Sequence, residues 1–246
     1  MPPPPPFEAR LTSARKLASS VRELTFERLD GAPMEFEPGQ WVNVLLPREL
    51  AGEGVTKRSY SIASPPDGSS RFAVAVTRVQ GGPASTWLHT LEPDAILSFS
   101  GPQGFFTRAA RGAPPSLMIA TGTGLTPMRS MLRAALAAGS RTRIWVLLGV
   151  RHAEDLLYGE ELRLLAHEHS FVRFEPTLSS PPEAWVGRRG YVQTHVRELW
   201  AELEGASDSA PHAYVCGLER MVGSVRELLR NEIGLPRQQV HAERYD

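Results

Sequence analysis

The stretch S-L-M-I-A-T-G-T-G-L-T-P-M-R-S-M-L-R-A-A-L-A-A-G, residues 116–139, decides the fold of the chain. Ser116 to Ala120 is a short apolar run of strand type. Pro127 to Ala138 then sets Met128, Met131, Leu132, Ala135 and Leu136 at helical spacing, and Gly139 stops the helix. Between them lies Gly122-Thr123-Gly124-Leu125-Thr126-Pro127. Strand, glycine turn and helix in this order form the first unit of an open parallel sheet, and such glycines let backbone amides approach a pyrophosphate at the helix start. Pro127 stands where the third glycine of G-x-G-x-x-G belongs, so this spacing alone is a weak signal.

Downstream the alternation continues. Ile144 to Val150, Phe171 to Leu178, Ala213 to Cys216 and Val240 to Arg244 read as strands, with helices over Tyr158 to Glu168, Val192 to Glu204 and Leu218 to Asn231. Strands separated by helical crossovers predict a parallel sheet. Upstream the rhythm is different. Leu11 to Leu17, Val21 to Leu29, Gln40 to Leu46, Arg58 to Ala63, Phe72 to Val79 and Ile96 to Ser100 are six short β-type runs divided by turn residues such as Asp30-Gly31 and Pro38-Gly39. They predict a small antiparallel barrel with one short helix, Pro83 to Leu91. The expected layout is a disordered Pro-rich tail over 1–7, a β-barrel domain over 8–108, a Gly- and Pro-containing linker over 109–115 and an α/β domain over 116–246.

Composition removes several classes of function. The 246 residues are 41% apolar and 22% charged, with Lys and Arg equal to Asp and Glu at 27 each, so no bulk charge points to nucleic acid or an anionic membrane. Cys216 is the single cysteine, which leaves no disulfide, thiolate zinc site or four-cysteine cluster within the sequence. Any such cluster is expected on a partner. No secretory leader or membrane-length apolar stretch is visible, and the expectation is a cytoplasmic protein. His167 and His169, two apart on a helix, do not share a face, and no metal site is expected.

Three further segments carry chemistry. Arg58-Ser59-Tyr60-Ser61-Ile62-Ala63-Ser64 alternates Arg58 and Tyr60 to one strand face and Ser59 and Ser61 to the other. That layout suits an arginine on a diphosphate and a phenol ring over an aromatic ligand, although on these residues alone a plain strand is the stronger reading. Gly81-Gly82-Pro83-Ala84-Ser85 opens the lone barrel helix, where amides, dipole and the Ser85 hydroxyl favour an anion; a simple Gly-Pro helix entry fits equally well. Tyr214-Val215-Cys216-Gly217-Leu218, with Met221 beyond, lies at the carboxyl end of a strand, where open parallel sheets bind ligands. A buried cysteine acting as a small hydrophobe is the ordinary alternative.

Taken in order, R-x-Y-S-I-x-S, G-x-A-S, G-T-G-L-T-P-M-R-S-M-L, C-G-L-x-x-M and a closing E-R-Y resemble the ferredoxin–NADP reductase superfamily of flavoproteins. Pro38-Gly39-Gln40 and Gly101-Pro102-x-Gly104-x-Phe106 match its barrel domain, and the resemblance covers about residues 8 to 245. It implies an FAD-dependent oxidoreductase that exchanges hydride with NADPH or NADH and single electrons with a separate acceptor, a ferredoxin or other small redox protein. The reductase of an oxygenase, or a free-flavin or ferric reductase, is the alternative outlet. A non-enzymatic flavin- or nucleotide-sensing module is the alternative from another class.

By the same resemblance Arg58 pairs with the FAD diphosphate, Tyr60 covers the isoalloxazine and Ser61 lies beside flavin N5, with Ser59, Val76, Thr77, Gly82, Ala84 and Ser85 completing the FAD site. Thr123, Gly124 and Pro127 hold the NAD(P) pyrophosphate side, with Val150, Arg151, Gly217 and Leu218 around the nucleotide. Cys216 and Glu243 border the nicotinamide, and Tyr245 stacks on the flavin. The sequence departs from the family at two places. Asp246 follows Tyr245, which displaces the terminal carboxylate by one residue. Ser179-Ser180 replaces the Ser-Arg of many NADPH users, and Arg188 and Arg189 with Tyr191 are expected to supply a 2′-phosphate clamp instead. Trp185-x-Gly187-x-x-Gly190 also resembles NADH-using oxygenase reductases, so the choice of nucleotide stays open.

Overall fold

Apolar alternation begins earlier than Leu11. Phe7, Ala9 and Leu11 are buried while Glu8 and Arg10 between them are exposed, so β1 runs Phe7–Ala18 and Phe7 belongs to the core rather than to a tail. The computed structural model describes residues 5–50 and 57–245. The first four residues of the expected tail, and Asp246 with its displaced carboxylate, lie outside the described residues.

Five more strands follow: β2 (Val21–Arg28), β3 (Trp41–Leu45), β4 (Lys57–Ser61), β5 (Arg71–Thr77) and β6 (Ile96–Gln103). They pair antiparallel in the order β4-β3-β6-β1-β2-β5. A bridge between Ile62 and Val74, with Ala63 N–H donating to Ala73 O at 2.7 Å, joins the two outer strands. Inward-facing Phe7, Phe26, Phe72 and Phe99 fill the interior. Phe26 and Phe99 meet edge to face at 4.9 Å, as do Phe72 and Phe99 at 5.1 Å, a geometry that the ring quadrupole favours. Helix α1 (Pro83–Thr90) packs Leu88 into the same core, with Pro83 in its first turn.

The second sheet is parallel throughout. Its strands are β7 (Ser116–Thr121), β8 (Ile144–Val150), β9 (Val172–Leu178), β10 (Arg188–Arg189), β11 (His212–Leu218) and β12 (Val240–Tyr245), in the order β10-β9-β8-β7-β11-β12. Chain order runs outward from β7 to one edge and then returns to β11 on its other side. The crevice beyond β7 and β11 is therefore the switch point, where open α/β sheets take their ligands. The crossovers are α2 (Leu125–Ala137), α3 (Gly159–Glu168), α4 (Gln193–Gly205) and α5 (Glu219–Glu227), the last continued by a π-turn over Leu228–Glu232. One sheet face, carrying Leu117, Ile119, Leu147, Ala213 and Val215, is sealed by Val196, Leu199 and Trp200 of α4 and Val222 and Val225 of α5. The opposite side chains of β7 and β11 include Met118, Ala120, Tyr214 and Cys216, all buried.

Helix α2 starts two residues before Pro127, which sits in its first turn, where no intrahelical N–H is needed. β10 is two residues long and has no apolar pattern to announce it. By contacts the chain divides into two compact units: residues up to Ala110 with Arg129–Ala137, and Arg111–Met128 with the residues from Ala138 on. Within the first unit Arg129 Nη1 donates to Ala63 O at 2.7 Å and Ser130 Oγ to Ser64 O at 2.7 Å, fixing the chain just beyond β4.

Phe99 touches three of the other core rings, so truncating it leaves a cavity that rigid strands cannot close. Phe99→Ala is expected to lower barrel stability by about 3–5 kcal/mol in chemical denaturation, with Phe99→Leu costing clearly less.

Candidate functional site

On β4 the register places Arg58 opposite Val44, Ser59 opposite Asn43, Tyr60 opposite Val42 and Ser61 opposite Trp41. Arg58 is exposed, with one Nη1 bond to Lys57 O at 3.1 Å, and is available to an anion. Tyr60 is half-buried; burial pushes its phenol up to about 12 against the opposing influence of Arg58, so the ring stays neutral. Ser61 is buried. The hydroxyl of Ser59 donates to Oδ1 of the fully buried Asn43 at 2.9 Å, which ties it to the barrel wall.

At the start of α1 the hydroxyl assigned to an anion is turned inward. Ser85 Oγ donates to Gly82 O at 3.1 Å and accepts from Val79 N–H at 3.0 Å, so it closes the turn after β5 and its proton is not offered to a ligand. What the helix start presents is its first-turn amides, among them Ala84 and Ser85, which have no acceptor within the helix. Val76 is buried and Thr77 exposed at the end of β5. An exposed guanidinium, a neutral half-buried phenol and a helix start suit a flavin dinucleotide: two anion positions and one aromatic face.

In the second unit the glycine turn is a short 3-10 segment, Gly122–Gly124, leading directly into α2. Gly124 is required by approach: a Cβ there would lie 2.2 Å from Cys216 O and 2.7 Å from Gly217 N, both backbone atoms. Gly217, at φ +144°, faces the other way across the same crevice, where a Cβ would stand 2.3 Å from Thr121 Oγ1. Thr121 Oγ1 is one of two buried side-chain polar atoms without a hydrogen-bond partner among the described residues. An orphaned hydroxyl beside a cradle free of Cβ atoms is what a phosphate- or amide-bearing ligand needs, so the residues fit a dinucleotide. The sequence reading omitted Thr121. It stands immediately before the first glycine, and only its buried, unpartnered hydroxyl at the switch point distinguishes it.

The parallel pairing of β11 with β12 sets Cys216 beside Glu243 and Leu218 beside Tyr245. Burial and then the Glu243 carboxylate push the Cys216 thiol far above its ordinary range, while a hydrogen bond with Tyr245 and one from the Gly217 backbone pull weakly the other way. The thiol is therefore a neutral group, not a thiolate nucleophile. Thr126 Oγ1 donates to Thr123 O at 2.8 Å, so in its 3.4 Å contact with Tyr245 the phenol is the donor. Four predicted residues, Thr123, Cys216, Glu243 and Tyr245, thus come together with Thr126 at the carboxyl ends of β7, β11 and β12. Pro127 is buried in the first turn of α2, and Leu218 is 66% exposed at the rim.

Farther along the sheet Val150 ends β8, Arg151 is exposed, and Ser179 and Ser180 are exposed after β9, held by N–H bonds to Val150 O and Arg151 O at 3.0 Å. The expected arginine clamp is only half present. Arg188 is bidentate on Glu198 at 2.8 and 2.9 Å and reaches Glu175 at 2.8 Å, so its charge is already compensated. Arg189 is exposed, its Nη2 donating to Pro182, Glu183 and Trp185 carbonyls, and Tyr191 is 66% exposed beside it. Trp185 folds over Gly187, where a Cβ would meet the indole at 2.5 Å, and donates from Nε1 to Arg188 O at 2.9 Å. The W-x-G spacing therefore has a local cause, the packing of this loop.

Two substitutions separate the crevice from the rest of the chain. Gly124→Ala should abolish nucleotide binding, measured by titration of NADP+ or NAD+, while FAD content is unchanged, because only backbone would have to yield. Thr121→Val removes an unpaired buried hydroxyl, so it should stabilise the fold by roughly 1 kcal/mol and yet weaken nucleotide binding about tenfold.

Comparison with known proteins fits this geometry. Residues 8–107 match the oxidoreductase FAD-binding domain family and residues 118–227 the oxidoreductase NAD-binding domain family. A protein of Sorangium cellulosum named ferredoxin–NADP reductase B is 58% identical over 242 residues, 98% of each chain. The phenol hydroxylase P5 protein of Acinetobacter pittii is 29% identical over 97% of this chain, which spans 65% of that relative's length. Among solved structures a cytochrome P450 reductase of Amycolatopsis superposes with a TM-score of 0.83 at 26% identity, covering 98% of this chain and 69% of that one. With an FAD-binding barrel, an NAD-binding parallel sheet and a full-length relative of that name, the chain belongs to the ferredoxin–NADP reductase superfamily of flavoprotein oxidoreductases.

Proposed function

We propose that the chain works as a cytoplasmic ferredoxin–NADP reductase, exchanging hydride with NADPH and single electrons with a separate ferredoxin-type protein. The observation that carries this reading is the 58% identity to ferredoxin–NADP reductase B over 98% of both chains. Bound FAD and nicotinamide supply the redox chemistry, a two-electron exchange with the nucleotide and release in one-electron steps. The residues of the chain bind, orient and tune. Arg58 and the α1 start neutralise the flavin diphosphate, and Tyr60 offers a neutral aromatic face. Ser59, Val76, Thr77, Gly82, Ala84 and Ser85 shape the FAD cradle mainly through backbone and wall contacts.

Thr123, Gly124 and Pro127 seat the pyrophosphate, and Val150, Arg151, Gly217 and Leu218 flank the nucleotide. At the reacting end Cys216 lends a neutral, polarizable surface, and Glu243 a carboxylate that favours the cationic, oxidised nicotinamide. Ser61 orients the flavin edge. Tyr245, held by Thr126 and Cys216, would cover the flavin face that the nicotinamide must reach. For the 2′-phosphate, Arg189 is the cation with exposed surface, and Ser179 and Tyr191 add hydroxyls.

The protein is expected to purify yellow with FAD, and FMN alone would overturn the reading. Glu243→Gln or Ser61→Ala should slow flavin reduction in stopped flow by tenfold or more at similar nucleotide affinity, because Glu243 is assigned to the nicotinamide and Ser61 to the flavin edge rather than to the nucleotide tail. Arg189→Ala should lower the NADPH-over-NADH ratio of kcat/KM by about ten- to a hundredfold, whereas Arg188→Ala should lower the melting temperature and leave the ratio alone. Reoxidation by a ferredoxin faster than by free flavin or ferric chelates tests the acceptor, and turnover with none of them would favour a sensing role. A ratio favouring NADH in the wild type would favour the oxygenase-reductase reading.

A further inference from the structure

At the outer edge of the parallel sheet one imidazole gathers the backbone of β10. This terminal strand is only two residues long, and just beyond it Gly190 N–H donates to Leu178 O at 2.8 Å. Side chains hold the carbonyls. Thr177, fully buried, donates from Oγ1 to Gly190 O at 2.9 Å. His195, in the first turn of α4, places Nε2 at 3.1 Å from both Arg189 O and Thr177 Oγ1, and its Nδ1 lies 3.3 Å from Arg188 Nη1. These partners admit one protonation state. A guanidinium only donates, so Nδ1 must accept; a carbonyl only accepts, and the Thr177 proton is committed to another carbonyl, so Nε2 must carry the hydrogen. Burial first, and then the Arg188 guanidinium, lower the pKa of His195 from its ordinary value, against the bond to Arg189 O and the carboxylates of Glu198 and Glu175, which keeps the ring neutral.

We propose, on the reading of Arg189 as the cation for the 2′-phosphate, that His195 is a positioning residue for nucleotide choice: its Nε2–H holds the Arg189 carbonyl and so fixes the backbone from which the Arg189 guanidinium meets NADPH. Arg189 needs such a hold. Its guanidinium is exposed and donates from Nη2 only to neutral carbonyls of its own loop, those of Pro182, Glu183 and Trp185, so its direction is inherited from the backbone of β10. NADH carries a hydroxyl where NADPH carries the phosphate and asks for no guanidinium there, so loss of the His195 bond falls on NADPH. The two oxygens by themselves keep the proton on Nε2, so the bond to Arg189 does not depend on Arg188.

The test uses the FAD-loaded full chain. In calorimetric titration His195→Ala should weaken NADP+ binding about three- to tenfold, the size of one neutral hydrogen bond, with NAD+ binding changed less than about twofold. His195→Gln, whose side-chain amide can donate to the same oxygens, should restore NADP+ affinity to within about twofold of wild type. Because His195 acts through Arg189, the double variant Arg189→Ala/His195→Ala should bind NADP+ no more weakly than Arg189→Ala alone. Nitrogen-15 NMR of the wild type should show the His195 ring neutral with its proton on Nε2, a readout that needs no stable variant. Equal losses for NADP+ and NAD+, no rescue by glutamine, additive losses in the double variant, or a proton on Nδ1 would each overturn the proposal. If Arg189→Ala leaves the NADP+-over-NAD+ preference unchanged, the reading of Arg189 falls and this role with it; a loss in Arg189→Ala with none in His195→Ala overturns the role of His195 alone.

Discussion

The second unit depends on one close approach of backbone to backbone. At the head of α2, Gly124 comes so near the Cys216–Gly217 peptide that no side chain fits between them. This contact lets a helix start and a strand end share one crevice, and the residue types around it follow. Gly217 must be bare because Thr121 projects toward it. Thr126 can bond back to Thr123 because the 3-10 turn runs straight into the helix. Free amide density, helix dipole and an unpaired hydroxyl then fall at the switch point of the sheet, where a diphosphate gains most from them.

The chemistry at the far end of the crevice is set by strand register. β11 and β12 are parallel and in step, so Cys216 necessarily lies beside Glu243, and Tyr245 comes next along the same edge. A thiol between a carboxylate and a phenol, out of water, cannot ionise. Its use lies in being small, neutral and polarizable, and the carboxylate beside it is left as the one formal charge of the trio. A residue exchange that kept the charge but lost the register would not reproduce the arrangement.

How much of this was legible depended on the range of the interaction. Strands with period-2 burial and helices such as α2 were readable because their signal lies within the segment; β8 falls over the same residues, Ile144–Val150, that the apolar run marked. β10 escaped because two charged residues carry no period, and its existence depends on β9 and on Trp185 folding over Gly187. The motif residues were placed in the right elements, but the direction of polar side chains was not in the sequence. Ser59 turned to Asn43, Ser85 to Gly82 and Arg188 to two glutamates, each choosing a partner 3 to 16 residues away that relieves a buried or charged group. Thr121 is the reverse case: it looks like the end of an ordinary strand, and only the absence of any partner for its hydroxyl singles it out.

Arg188 also shows why charge alone is a poor guide to ligand sites. A guanidinium whose donors are taken by Glu175 and Glu198 contributes to holding β9, β10 and α4 together, and drawing it toward a phosphate would strand two carboxylates. Arg189, one residue on, faces the opposite side of the same short strand and donates only to carbonyls, which are neutral acceptors. A 2′-phosphate offers Arg189 a charged acceptor in place of neutral ones, at the modest cost of loosening one loop. Neighbouring arginines of identical type therefore divide into a structural and a ligand-facing role by strand alternation, and the same alternation along β12 separates the exposed Ala242 and Arg244 from Glu243 and Tyr245.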